Sequence, residues 1–367
     1  MSGPWAACAR GSPTPVGDPA PLPERLTDRY PQLLRTERVR WWQPLAGLLL
    51  AGATLVSGAV AVLLAVTLAA VATGLADDPL SEEALSPDSP LGLLANNLII
   101  AVMVPAAVLA VVVVHRRRPG LLLSVAARMR WALLGSFLAV ALAVVLVFYA
   151  ASFLLPSSTG TEVEVPAAGT LVGLLAVIAL TTPLQAAAEE VGFRGYLTQA
   201  LAAWFSRPGV GTALAGAVSA LLFALAHGTQ DVWLFGDRLA FGVVASWLAW
   251  RTGGLEAPIA LHVANNLVSL AVTAATGSLE DSLTASTLEW QFAATDVAMM
   301  LAFAAVVGLL VRRRPVDVRR PRDPAPSPAG GHAAAPGVLS GPEGLGYPGA
   351  RPSTPPPAGG DNPWGMG

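Results

Sequence analysis

Lysine is absent from the 367-residue chain, so all 22 positive side chains are arginine. That absence reflects biased composition rather than a need for guanidinium chemistry, and no function follows from it. Cysteine is almost absent too. The single thiol, Cys8, has no partner for an internal disulfide and excludes a cysteine-based zinc site. Charge is scarce: 13% of residues are charged against 54% hydrophobic, with a mean hydropathy of +0.58. Such a balance excludes an ordinary soluble domain. The net charge of -2, with arginines beside apolar runs rather than in a basic and aromatic patch, leaves no nucleic acid as a partner. Residues 1–40 lack the short apolar core near the start that a cleavable signal peptide needs. They read as a polar, Pro/Arg-rich cytoplasmic leader.

Long apolar runs fill the chain instead. About 20 uncharged residues suffice to cross a ~30 Å hydrocarbon core as a helix. Such runs fall at 44–75, 91–114 and 131–155. A fourth starts near Leu171 and enters the charged stretch Glu189, Glu190 and Arg194; others follow at 211–226, 239–250, 255–276 and 297–311. The expected fold is all-α, a polytopic membrane helix bundle of about eight transmembrane helices. Helices one to three occupy 41–165 and a catalytic core occupies 166–314. The Pro/Gly/Ala/Ser-rich tail, 315–367, cannot bury enough apolar surface to order itself and is expected to be disordered, as is the leader.

Arginine sets the orientation, because basic residues near span ends stay on the cytoplasmic side. Arg35, Arg38 and Arg40 precede the first run, and the loop after it carries Asp77, Asp78, Glu82, Glu83 and Asp88 without a base. The second run ends in His115, Arg116, Arg117 and Arg118. Both termini are therefore expected in the cytoplasm, with the protein in a bacterial plasma membrane.

Ionisable residues inside a bilayer cost about 2.5 to 3.5 kcal/mol each on insertion scales and are functional candidates by default. In Ala-Ala-Ala-Glu189-Glu190-Val-Gly-Phe-Arg194, the glutamates lie about 100 degrees apart around a helix. Glu190 shares a face with Arg194 and is expected to pair with it. Glu189 is left without a partner in its own helix, as a carboxylate held for proton transfer would be. In Phe223-Ala-Leu-Ala-His227 the ring is expected to shield the imidazole. In His262-Val-Ala-Asn265-Asn266 the outer two residues share a face. Gln185 and Asp296 read as packing residues, His115 as part of a basic stop signal, and His332 as part of the tail.

These three elements, Glu-Glu-x-x-x-Arg, Phe-x-x-x-His and His-x-x-x-Asn, on successive apolar segments, resemble the motif set of the CAAX-protease and bacteriocin-processing (Rce1-like) family of intramembrane endopeptidases. The resemblance covers roughly 168–272. It implies hydrolysis of a peptide bond in a membrane-anchored substrate with a prenyl or lipid-like group. Glu189, His227, His262 and Asn266 are the catalytic expectation, with Glu190, Arg194 and Phe223 in support. Glu189 would act as base on a water also held by His227, while His262 and Asn266 stabilise the oxyanion. The alternative type is a metalloprotease, with a zinc ion on Glu189, His227 and His262; the absence of His-Glu-x-x-His favours a reaction that requires no cofactor. Rival functions are a proton-coupled transporter using the same acid and histidines, and a haem protein with His227 and His262 as axial ligands.

Spacing suggests how the groups meet. Pro208 marks a turn with Glu189 and His227 each 19 residues away, which places them at matching depth in a hairpin. The sixth run, about 12 residues, reaches only ~20 Å, so Gly253 and Gly254 are expected to turn the chain inside the membrane. This geometry points to the outer half of the bilayer, while the even spread of Arg207, Arg238 and Arg251 leaves the side open.

Overall fold

A computed structural model of the chain describes residues 27–35, 40–74, 78–156 and 165–322. Most of the leader and tail, with Cys8, Arg38, Asp77 and His332, lies outside the described residues. Eight helices among the described residues are long and apolar enough to cross a membrane: α1 (Gln43–Thr73), α2 (Pro90–His115), α3 (Trp131–Ser152), α4 (Ala168–Ala202), α5 (Pro208–Leu225), α6 (Val232–Thr252), α7 (Glu256–Thr276) and α8 (Trp290–Arg313). The chain is an all-α, multi-pass membrane protein.

One span differs from its sequence reading. Helix α6 has 21 residues rather than about 12, enough at 1.5 Å per residue to cross the whole hydrocarbon layer at ~31 Å. Its start is fixed by Asp231, whose carboxylate accepts from the Leu234 amide at 2.8 Å, as an N-cap should. Asp237 and Arg238 in its first turns interrupted the uncharged run and hid those turns. Gly253 and Gly254 do make the turn into α7, but at the end of a full span. Gly253 is left-handed, and a Cβ on Gly254 would lie 2.4 Å from Glu256 Oε2.

Helix α7 is the centre of the bundle, packing against α3, α4 and α6. Its first residues, Glu256 through Ala264, are all buried, so no face is left for lipid. Ala257, Ala260 and Ala264 are 0% exposed. Small residues suit this place, since helices in lipid associate by close packing rather than by escape from water. The same logic holds where α5 meets α6: a Cβ on Gly242 would lie 2.7 Å from the Ala220 Cα. By contrast α1 packs chiefly on α2 and exposes Leu49, Leu64 and Leu68, as a lipid-facing helix does.

Both flanks of the bundle meet on one face. Strand β1 (Thr27–Arg29) pairs antiparallel with β2 (Arg319–Pro321). Tyr30, Leu33 and Leu34 are buried in the apolar core, so this part of the leader packs on the bundle, and the first residues of the tail pair with it. Composition hid both, because three or four anchoring side chains are lost in a polar average. The Tyr30 hydroxyl donates to the Leu122 carbonyl, and Gln32 donates to the Pro208 carbonyl at 3.0 Å. On the same face Arg130 donates to Glu256 through Nε at 2.8 Å and Nη2 at 2.6 Å, and through Nη1 to the Asp317 carbonyl at 3.1 Å. Glu256 is fully buried. This bidentate pair fixes the start of α7, six residues before His262.

Candidate active site

Helix α4 carries the first motif, and its backbone changes there. Pro183 removes one hydrogen bond to the preceding turn. The regular helix continues to Glu190 and gives way to π-helical geometry over Val191–Leu197. Single π turns of this kind occur often at functional sites because they re-aim side chains. Two hydroxyls meet the Phe193 carbonyl within this stretch: Thr198 Oγ1 donates at 2.9 Å and Ser219 Oγ at 2.8 Å.

The expected pair forms, with Arg194 Nη1 donating to Glu190 Oε1 at 3.0 Å, both side chains fully buried. Glu190 does more than the sequence suggested. The same oxygen accepts from His262 Nδ1 at 2.9 Å. This contact ties α4 to α7 across 72 residues. The spacing could not show it, because the four-residue rule relates residues only within one helix.

Glu189 also differs from expectation, since it does have a partner in its own helix. Gln185 Nε2 donates to Glu189 Oε1 at 2.5 Å, and Gln185 Oε1 accepts from Asn266 Nδ2 at 3.3 Å. The other oxygen, Glu189 Oε2, is buried with no hydrogen-bond partner. It lies 3.8 Å from His262 Nε2, beyond a direct hydrogen bond. The His262 imidazole therefore stands between two carboxylates, bonded to one and facing the other. Gln185 is thus more than a packing residue; its i,i+4 relation to Glu189 is the same one that joins Glu190 to Arg194.

His227 lies just past the end of α5 rather than inside the span. Its Nδ1 is 2.7 Å from the Phe223 carbonyl. A carbonyl can only accept, so Nδ1 carries the hydrogen and Nε2 keeps its lone pair. Gly228 follows with φ +82°, and Arg238 Nη1 donates to the His227 carbonyl at 3.3 Å. The side chain is exposed at its edge, yet crowded enough by protein that burial pushes its pKa below the ordinary histidine value. The Glu189 charge and the bond to Phe223 oppose that shift, while Arg238 and His262 add to it.

Phe223 shields His227 as expected, with ring centroids 4.7 Å apart, and also packs 6.0 Å from His262. The Arg194 guanidinium lies 4.2 Å over the same ring. Phe241 of α6 closes the other side of His262 at 4.8 Å. Sequence reading missed Phe241, because one aromatic residue in an apolar helix carries no separate signal. His115 is likewise more than a stop signal; it is buried, with Nε2 3.3 Å from the Tyr196 hydroxyl.

The structure thus forms two hydrogen-bonded sets, Glu189 with Gln185 and Asn266 and His262 with Glu190 and Arg194, which face each other at 3.8 Å between His262 Nε2 and Glu189 Oε2, and it sets His227 beside them through Phe223 and the Glu189 charge. Among the described residues, no group of three His, Cys, Asp or Glu side chains converges closely enough to hold a metal ion.

Comparison with known proteins bears on this same segment. Residues 169–268 match the family model described as type II CAAX prenyl endopeptidase Rce1-like. That range runs from the start of α4 into α7 and contains every residue of the site. An uncharacterized protein of Bacillus subtilis (strain 168), YyaK, is 32% identical over 106 residues, covering 27% of this chain and 34% of that protein. The chain spans about a third of the length of this curated relative. No solved structure matches.

Proposed function

From a segment that is Rce1-like over residues 169–268, we propose that the chain is an intramembrane endopeptidase in which Glu189 is the general base. The observation that carries this reading is the free Oε2 of Glu189 beside His262, on a side chain 11% exposed and so open to water, whereas the equally unpartnered Oε2 of Glu190 is fully enclosed. A buried carboxylate oxygen without a donor is costly, and a reacting water supplies that donor.

In the proposed reaction, His227 Nε2 accepts a hydrogen bond from one O–H of the water, which stays bonded to the oxygen, and Glu189 Oε2 takes the other proton as the oxygen attacks the substrate carbonyl. His262 Nε2–H and Asn266 Nδ2–H donate to the oxyanion. Glu189 then returns its proton to the amide nitrogen as the C–N bond breaks. Because His262 Nδ1 is committed to Glu190, donation through Nε2 requires hydrogen on both ring nitrogens. Glu189, Glu190, Arg194 and such a His262 sum to zero charge, which suits a group held in a low-dielectric layer. No step runs through a metal.

The proposed substrate is a membrane-anchored peptide bearing a prenyl or lipid-like group, met within the bilayer. The proposed orientation rests on arginine. Along the chain, the segments after α2, α4, α6 and α8 share the face of β1 and β2, where Arg130 reaches Glu256 and Asp317. The opposite face joins the loops around Asp231 and Ser286, and around Pro156 and Gln291. Among the described residues its connecting segments hold no arginine. Arg207 and Arg251 fall on the first face, which we place in the cytoplasm. His262 is six residues from the α7 start there, about 9 Å along the helix, while His227 lies in the segment after α5, toward the opposite face.

Reconstituted in liposomes, the wild-type protein should cleave a farnesylated reporter peptide, and Glu189→Gln should not, although it inserts equally. Cleavage by Glu189→Gln at the wild-type rate would overturn the role of Glu189.

A further inference from the structure

We propose that Gln185 is a positioning residue for this site, one amide that orients both the base and an oxyanion donor; the inference rests on the endopeptidase reading above. Gln185 sits one turn before Glu189 and is only 7% exposed. Burying an amide without hydrogen bonds is costly, and here both ends are used.

The directions of the bonds are fixed by the carboxylate. Glu189 Oε1 can only accept, so the Gln185 NH2 must face it. The Gln185 oxygen then points the other way, to α7, and can be met only by a donor. Asn266 must therefore turn its Nδ2 toward Gln185, at 3.3 Å. One Nδ2 hydrogen is spent on that bond and the second remains for an oxyanion. A flipped Gln185 would set oxygen against oxygen at 2.5 Å and reverse Asn266 as well.

Two consequences follow for the reaction. Oε1 of Glu189 is occupied, so Oε2, the oxygen nearer His262, is the one left to take a proton. The separation of base and oxyanion donor is held by a side chain bridging α4 and α7 rather than by helix packing alone. A glutamine acting merely as interhelical glue would hold the helices without selecting an oxygen.

The test uses the full chain in liposomes with the farnesylated reporter. Gln185→Leu should lower kcat roughly 100-fold, the scale of an ångström-sized misplacement, with KM unchanged and the thermal midpoint kept. Gln185→Glu supplies a donor only while protonated, so its kcat should fall with rising pH across a range where wild type is flat. Wild-type kcat in Gln185→Leu overturns the proposal, as does a loss explained by a lowered midpoint while Gln185→Glu keeps the wild-type pH profile.

A second readout stands without turnover. At one fixed pH, the infrared carboxylate stretch that vanishes in Glu189→Gln should move in Gln185→Leu relative to wild type, because Glu189 Oε1 loses its donor. An unmoved band overturns the clamp even if the reporter is never cleaved, whereas an inactive wild type with a shifted band overturns only the endopeptidase reading.

Discussion

His262 and Glu190, 72 residues apart in sequence, are joined by a 2.9 Å hydrogen bond from Nδ1 to Oε1, on the oxygen that also receives Arg194. Glu190 is thereby the hinge between an ion pair inside α4 and an imidazole on α7. The second of two adjacent glutamates is as tightly bound to the site as the first.

Removing Glu190 should cost both stability and turnover. Glu190→Ala leaves the buried Arg194 guanidinium without its anion, and breaking such a pair costs about 3 to 5 kcal/mol. Thermal unfolding in detergent should show a lowered midpoint. Glu190→Ala combined with Arg194→Leu removes both charges and should recover much of the stability. Cleavage should stay lost in the double variant, because His262 still lacks the group that orients it; regained activity would show that Glu190 serves Arg194 alone.

His227 sets a pH dependence. Its pKa is pushed below the ordinary histidine value of about 6.5, so the ring is neutral at and above that pH. The lone pair on Nε2 is available there and is lost as pH falls through the lowered value. The kcat/KM profile should accordingly hold near neutrality and decline on its acid side. His227→Gln keeps an acceptor at every pH, so the part of the decline owed to His227 should vanish with it. A profile identical in shape for the two proteins would remove His227 from the reaction.

Metal chelation separates the two protease types. The donor set does not converge on an ion, so purified protein treated with a chelator and passed over a desalting column should keep its cleavage rate. Metal content by mass spectrometry should show no stoichiometric zinc in active samples. Loss of activity that zinc restores would reverse this assignment.

Much of the site could be read along the chain because three of its relations are local. Glu190 with Arg194 and Phe223 with His227 are four residues apart on one helical path, and the structure keeps both contacts. Gln185 with Glu189 obeys the same rule, but an amide costs less in lipid than a charge and so carries a weaker signal in the sequence. The length of α6 is obscured in the sequence for the converse reason: Asp237 and Arg238 carry the charge that marks the end of a span, yet they lie inside it.

By itself the sequence determined that the chain is a bundle of about eight membrane helices, and which third of it holds the improbable polar groups, because both follow from transfer costs that each residue carries wherever it sits. The tertiary structure alone decided that His262 bonds to Glu190, that Gln185 links Glu189 to Asn266, and that Phe241 walls the site. Those contacts depend on how α4, α6 and α7 rotate and slide against one another, and packing between helices is set by surfaces that no periodicity within a single helix records.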